Sequence, residues 1–319
     1  MAQIHTTGIA QPRLRDIPIE LLRSMRPQQW VKNVFVFAAI AFSEGRLWLQ
    51  PGSILKSIGA FIIFCACSGA IYLVNDLVDI EKDRAHPKKR YRPLAAGRLS
   101  MPVAIIAAIV LIGGGLGGAY WLDSLNNPPD YDLMLVMLIY IVVQGGLYSY
   151  WLKNIVIVDI FTIAAGFVLR AIAGAVALDI RITPWLLICM GLLALFLGLG
   201  KRRAELVLLG GDASTHRKIL QDYSIPMLDQ MISIVTAATI MAYTLFTYSA
   251  DTLPKDPYPV MMITVPFVIY AIFRYLYLIH HRNGGGSPEE LLLKDVSLAA
   301  SVGLYGITVL ILLAVFRHA

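Results

Sequence analysis

Long apolar runs separated by short polar breaks dominate the chain, and their lengths set the reading. Runs of about 18 to 24 residues, enough for a helix to cross ~30 Å of hydrocarbon, fall near 30–49, 53–75, 101–122, 131–150, 155–178, 183–200, 228–250, 258–279 and 293–316. Nine membrane-spanning helices are therefore predicted. The expected fold class is an all-α integral membrane bundle, one unit over residues 23–319. A polar tail, residues 1–22, is expected to precede it, disordered and cytoplasmic. It has no apolar core or small-residue cleavage site, so no cleaved secretory signal is expected.

Lys and Arg collect in alternate breaks, which orients the bundle because cytoplasmic loops retain them. Lys82, Arg84, Lys88, Lys89, Arg90, Arg92 and Arg98 follow the second run, and Lys201, Arg202, Arg203, Arg217 and Lys218 follow the sixth. The breaks after the third and seventh runs hold almost none. The N-terminus and both basic loops are thus predicted inside the cell, and their four-helix offset hints at two related halves. After the eighth run, Gly284 to Gly286 should end one helix, while Ser287, Pro288 and Glu290 fit a capping box for the next.

Composition agrees with the pattern. Hydrophobic residues make up 57% of the 319 positions and charged residues 15%, against roughly 25% charged in soluble domains; mean hydropathy is +0.67. A bilayer is the expected environment, and no nucleic-acid partner is expected. Cys65, Cys67 and Cys189 lie inside apolar runs and read as packing residues rather than disulfides or metal ligands.

The most informative polar stretch is Asn75–Asp83, NDLVDIEKD, at the end of the second run. Positions i, i+3 and i+7 share a helical face, so Asp76, Asp79 and Asp83 should point one way, flanked by Asn75, with Glu81 elsewhere. Such carboxylates repel one another unless a cation sits among them, and hard oxygen ligands suit Mg²⁺ carrying substrate phosphates. The basic continuation places Arg84, Arg90 and Arg92 within reach. Carboxylates for a metal beside bases for phosphate oxygens are what a diphosphate substrate requires. As an isolated feature, the basic loop would be only a topology signal.

Other candidates are less specific. RPQQWVKN places Arg26, Gln28, Gln29, Trp30, Lys32 and Asn33 at the start of the first run; Trp30 and Lys32 fit an interfacial anchor equally well, whereas Gln29 and Asn33 fit it less. Asp159 and Arg170 are ionisable groups inside the fifth run, ~16 Å apart along a helix, so each needs a partner from another helix. After the sixth run, Lys201, Arg202 and Glu205 stand together, with Lys201 and Glu205 spaced for an ordinary surface ion pair. Tyr223 lies at that loop's far end. Tyr148 and Lys153, at the end of the fourth run, complete the substrate-binding candidates.

Nine helices with NDLVDIEKD after the second resemble the UbiA superfamily of intramembrane prenyltransferases, whose first motif is NDxxDxxxD. Members usually carry a second aspartate-rich motif after helix six; here that stretch is GKRRAEL, with one acid and three bases. RPQQWVKN, NDLVDIEKDRAHPKKRYRPLAAG, LRAIAGAVA and GKRRAEL together are similar to the branch of decaprenyl-phosphate phosphoribosyltransferases. That resemblance implies transfer of 5-phosphoribose from 5-phosphoribosyl 1-diphosphate to a polyprenyl phosphate, with release of pyrophosphate, in the bacterial inner membrane, supplying cell-wall arabinan. It implies that Asn75, Asp76, Asp79 and Asp83 hold Mg²⁺ and the donor diphosphate, and that Lys201, Arg202 and Glu205 serve the 5-phosphate or ribose. A homo-oligomer is compatible with it. Conventional prenyl transfer to an aromatic or other small acceptor, and transport of an anionic metabolite, are the alternative readings.

Overall fold

The computed structural model describes residues 14–43, 46–86, 89–209, 218–256, 258–281 and 288–316. Residues 1–13 of the expected tail, Lys88, Arg217 and the Gly284–Ser287 part of the expected helix break and cap lie outside them. Among the described residues the chain is helical throughout, without strands.

Among the described residues, eight helices are long and apolar enough to cross a membrane, which makes this a polytopic membrane protein. Numbered with their shorter companions, the α-helices are α1 (Ile17–Ser24), α2 (Ala38–Phe42), α3 (Pro51–Val78), α4 (Ile80–Ala85), α5 (Met101–Asp123), α6 (Asp132–Tyr140), α7 (Tyr148–Tyr150), α8 (Val158–Val176), α9 (Pro184–Leu209), α10 (Ile225–Ser249), α11 (Val265–His281), α12 (Pro288–Lys294) and α13 (Val296–Phe316). Residues Ile141–Leu147 form a π-helical stretch that joins α6 to α7. Pro51, Pro102, Pro184 and Pro226 stand in the first turns of α3, α5, α9 and α10, where a missing N–H costs nothing and the fixed φ is already helical.

Two expectations are adjusted. The region expected as a disordered tail already contains α1 at Ile17–Ser24, anchored where buried Glu20 takes ion pairs from Arg23 at 2.6 Å and Arg98 at 3.0 Å. The first expected span, 30–49, is not one α-helix. It runs as a 3-10 stretch over Pro27–Phe37, then α2, then a 3-10 turn at Leu47–Leu49. Seven of the eleven residues in the first stretch, Trp30, Val31, Asn33, Val34, Phe35, Val36 and Phe37, are valine, aromatic or asparagine, all modest helix formers. At 2.0 Å per residue the stretch covers ~22 Å, more than an α-helix of equal length.

The core explains where the charges meet. One buried cluster combines Ile63 and Phe64 of α3, Ala119 and Leu122 of α5, Leu133, Met137 and Tyr140 of α6, and Ala173 of α8. A second combines Ile160 of α8 with Phe196 of α9, Leu228 and Ile232 of α10, and Ile272 and Tyr275 of α11. Helix α8 therefore serves both clusters, one end packed into each. Its glycine at 174 is required by close approach: a Cβ there would lie 1.9 Å from the carbonyl oxygen of Val36, so α8 presses directly on the 3-10 stretch. Outward positions such as Ile106, Ile109, Val110, Ile307 and Ile311 remain exposed, as befits helices whose outer faces meet lipid.

Candidate active site

The motif at the end of α3 bends rather than continuing straight. The α-helix stops at Val78, Asp79 takes φ −96° and ψ 12°, and α4 restarts at Ile80. Asp76 and Asp83 are both buried. Arg92 bridges them, its Nη1 lying 3.1 Å from the Asp76 carboxylate and 2.6 Å from that of Asp83. Arg26 also pairs with Asp76 and lies over the Tyr72 ring at 4.6 Å. Its backbone is left-handed, φ 54°, a conformation that carries strain for a non-glycine residue. The ion pair with Asp76 thus stands at the turn where the chain leaves α1 for the 3-10 stretch.

The expectation that Asp76, Asp79 and Asp83 share one face is therefore corrected at Asp79. Its carboxylate is part-exposed and pairs with Lys82 at 3.6 Å. The bend at Asp79 interrupts the ideal 100° progression that the shared face assumed. Among the described residues no three Asp, Glu, His or Cys side chains are grouped to hold a metal ion. Two carboxylates do converge, on a single cationic nitrogen. A place of positive charge between two acids fits Mg²⁺ when substrate phosphates and water supply the other oxygens, because that ion is typically bound by one or two carboxylates plus phosphate.

Of the basic residues expected around the motif, the structure brings Arg92 to it, together with Arg26. Arg84 instead pairs with Glu81 at 2.7 Å, and Arg90 with its neighbour Tyr91 at 2.8 Å. Lys32 donates to Gln29 at 2.6 Å, within the 3-10 stretch.

A second charged cluster sits at the ends of α8 and α9. Arg202 is almost fully enclosed, with 1% of its side chain exposed, and its Nε donates to Asp159 at 2.7 Å while Nη1 pairs with Glu205. The Tyr223 hydroxyl donates to the other Asp159 oxygen at 2.8 Å and accepts the N–H of Ile157 at 2.6 Å. Ile157 has φ 69°, unusual for a β-branched residue, and the tyrosine holds that strained start of α8 in place. Burial raises the Tyr223 pKa, and the neighbouring Asp159 raises it further, so the hydroxyl stays protonated as a donor. The expected Lys201–Glu205 pair does not form. Glu205 faces inward with Arg202, whose planar fork serves two carboxylates at once, and Lys201 makes no ion pair among the described residues.

The short helix α7 joins the two clusters. Ser149 donates to the side-chain Oδ1 of Asn75 at 2.6 Å, and Tyr148 is near enough to Arg202 to interact with it electrostatically. Neighbouring residues on a helix point ~100° apart, so one turn addresses the acidic motif and the basic cluster together. Sequence reading missed Ser149, which carries no signal beyond its position beside Tyr148, and left Arg26 among the interfacial residues. Lys153 lies two residues beyond α7, in the 3-10 turn Leu152–Asn154.

Arg170 lies deeper. It is buried, and its guanidinium donates to Asn33 at 2.8 Å, the Gly166 carbonyl at 2.6 Å and the Tyr140 hydroxyl at 3.0 Å. Phe64, Tyr140 and Phe167 present their rings to it at 5.1–5.4 Å. Two of these partners, Asn33 and Tyr140, come from outside α8, as expected, and those shown are neutral. It ties α8 to α6 and to the 3-10 stretch.

Comparison with known proteins places these features. The model of the UbiA prenyltransferase family matches residues 34–292. A decaprenyl-phosphate phosphoribosyltransferase from Mycolicibacterium smegmatis is 37% identical over 311 residues, covering 92% of this chain and 93% of that protein. One from Corynebacterium glutamicum is 36% identical, covering 91% and 87%. Among solved structures, a UbiA homolog from Archaeoglobus fulgidus bound to GPP and Mg²⁺ superimposes with a TM-score of 0.67 at 17% identity, over 93% of this chain and all of that one.

Proposed function

Because this chain belongs to the UbiA prenyltransferase family, we propose that it is a transferase that moves 5-phosphoribose from 5-phosphoribosyl 1-diphosphate to a polyprenyl phosphate and releases pyrophosphate. The observation that carries this reading is the asymmetry of the two charged clusters. In one, two buried aspartates converge on Arg92; in the other, Asp159 and Glu205 are both engaged by Arg202, which leaves Lys201 without an ion pair among the described residues at the place where a second acidic motif would serve a second metal-bound diphosphate. A donor with a diphosphate at one end and a phosphate at the other requires cationic anchors at both. The names of relatives covering nine-tenths of the chain support the same reaction.

Asp76 and Asp83, with Asn75 and Asp79 beside them, would hold Mg²⁺. The chemistry such an ion supplies there is neutralisation of the departing diphosphate. Arg26 and Arg92 lie beside the same carboxylates and bind the diphosphate oxygens, orienting the C1–O bond. Lys201 takes the 5-phosphate or ribose hydroxyls, while Arg202, locked on Asp159 and Glu205, fixes the end of α9 against α8 beneath it. Departure of diphosphate from C1 develops oxocarbenium character as in glycoside cleavage. The lipid phosphate is already an anion near neutral pH, so its attack needs no protein base. Holding the two substrates together supplies much of the remaining acceleration.

The test is direct. Purified protein with Mg²⁺, ribose-labelled donor and polyprenyl phosphate should form a labelled lipid, and chelation of the metal or Asp76→Ala should abolish it. Labelling of an aromatic acceptor from a prenyl diphosphate would instead establish conventional prenyl transfer.

A further inference from the structure

The ring of Trp30 is part-buried, and its indole N–H is enclosed without a hydrogen-bond partner among the described residues. A buried indole N–H usually finds an acceptor, and a donor left without one carries a desolvation cost that calls for a reason. We propose that Trp30 is a substrate-binding residue whose indole N–H donates to a phosphate oxygen of one of the two substrates. The inference rests on the proposed function, which brings phosphate-bearing substrates to this site, and adds a contact to it.

Three observations carry it. First, the winding of Pro27–Phe37 turns Trp30 inward. Positions i and i+3 of a 3-10 helix are aligned, so Trp30 stands in one row with Asn33 and Val36, which are 1% and 0% exposed, whereas Val31 and Val34 of the next row are 47% and 51% exposed. A tryptophan acting as an interfacial anchor presents its polar edge to the headgroup region instead. Second, this row runs along α3 beside the acidic motif. At one end Arg26 pairs with Asp76 and lies over Tyr72; at the other, Asn33 donates to Cys65 and Ser68, each at 3.3 Å. The two segments are therefore antiparallel, and Trp30 falls between those contacts, about one helical turn of α3 deeper than Asp76.

Third, the surroundings select the acceptor. Indole nitrogen donates and does not accept. Arg26 and Lys32 stand on either side of Trp30 in the chain, and beside two cations the complement of a donor is an anionic oxygen, which both substrates carry as phosphate. Trp48 supplies an internal control. Its indole N–H is likewise enclosed without a partner among the described residues, but it belongs to the 3-10 turn Leu47–Leu49 at the other end of the first span.

Nuclear magnetic resonance of the full-length protein in detergent, with nitrogen-labelled tryptophan and signals assigned through Trp30→Phe and Trp48→Phe, tests this. One arm adds Mg²⁺ and 5-phosphoribosyl 1-diphosphate, and the other adds polyprenyl phosphate alone. The Trp30 indole proton should move downfield in one arm, as a new bond to an anion requires, while Trp48 stays in place; the arm that moves it tells whether the oxygen belongs to the donor or to the lipid. Trp30→Phe keeps a ring and removes the N–H. It should raise the KM for that same substrate about tenfold or more, the scale of a lost hydrogen bond to a charged group, with a smaller change in kcat. No movement of Trp30 with either substrate or with a prenyl diphosphate, equal movement of Trp48, or unchanged KM values in Trp30→Phe would overturn the proposal. Movement with a prenyl diphosphate alone would support Trp30 as a phosphate ligand and refute the proposed donor. Should Trp30→Phe fail to fold, a chain with its other four tryptophans replaced by Phe carries a single indole signal and gives the same reading.

Discussion

The carboxylates of Asp76 and Asp83, seven positions apart and carried by two different helices, meet at one nitrogen of Arg92, at 3.1 Å and 2.6 Å. The guanidinium stands where a divalent cation would be attracted, and under the proposed function it also binds the donor diphosphate. Under that proposal, cation and arginine compete for the acids in the absence of substrate and act together in its presence.

Replacing Arg92 by Ala removes the competitor. In donor-free protein, Mn²⁺ binding followed by electron paramagnetic resonance should tighten, since two adjacent carboxylates lose their neutralising partner. Donor affinity should fall in the same variant, by roughly tenfold or more for one lost charge-assisted hydrogen bond of ~1.5–3 kcal/mol. Mn²⁺ binding that weakens would show that Arg92 organises the acids rather than competing for them.

Asp159 is fully buried and depends on Arg202 and Tyr223. Arg202→Met should destabilise the protein by about 3–5 kcal/mol, because a buried charge is left unpaired. Tyr223→Phe should cost less, about 1–3 kcal/mol, through the unpaired Ile157 N–H and the lost bond to Asp159. Thermal unfolding in detergent orders the two variants, and equal losses would contradict the assignment.

Arg170 should prove structural. Arg170→Ala strands Asn33 and the Tyr140 hydroxyl, groups that cost about 1–3 kcal/mol each when buried without a partner. Asn33→Ala breaks the same tie, so the double variant should lose less than the sum of the two. Additive losses in a double-mutant cycle would show that the 2.8 Å contact carries no coupling.

The glutamate at position 20 should matter despite its distance from the motif. It is buried between Arg23 and Arg98, and α1 is tied through it to the loop after Arg92. Glu20→Gln should loosen that loop, seen as faster amide exchange around 92–98, with a larger effect on donor KM than on kcat. Unchanged exchange there would contradict the link.

Much of this was legible in the amino-acid pattern, for identifiable reasons. Apolar run length alone located the eight spanning helices, because the hydrocarbon thickness sets a minimum. Asn75–Asp83 points to a charged stretch that the structure shows as a buried cluster with Arg92, yet its three aspartates fall on one face only if the helix is uninterrupted, and the bend at Asp79 turns that residue away. The first span read as α-helical since run length is blind to the difference between α and 3-10 winding. Arg84, Arg90 and Arg92 could not be distinguished by spacing, as a turn has no regular period; only the fold shows that Arg92 reaches the acids. Asp159 is recognisable as requiring a partner from another helix, but that Arg202 supplies it depends on the packing of α8 against α9. Ser149 leaves no trace in composition, because its contact with Asn75 depends on α7 lying beside the end of α3.

The central claim is that the diphosphate leaves from the sugar and the sugar joins the lipid. A donor labelled with one isotope in the 5-phosphate and another in the terminal phosphate of the diphosphate decides it in a single reaction with polyprenyl phosphate. The account predicts the first label in the lipid phase and the second in aqueous pyrophosphate, in equal amounts, with both lost in Asp76→Ala. Both labels remaining in intact donor while a prenyl diphosphate is consumed would contradict it.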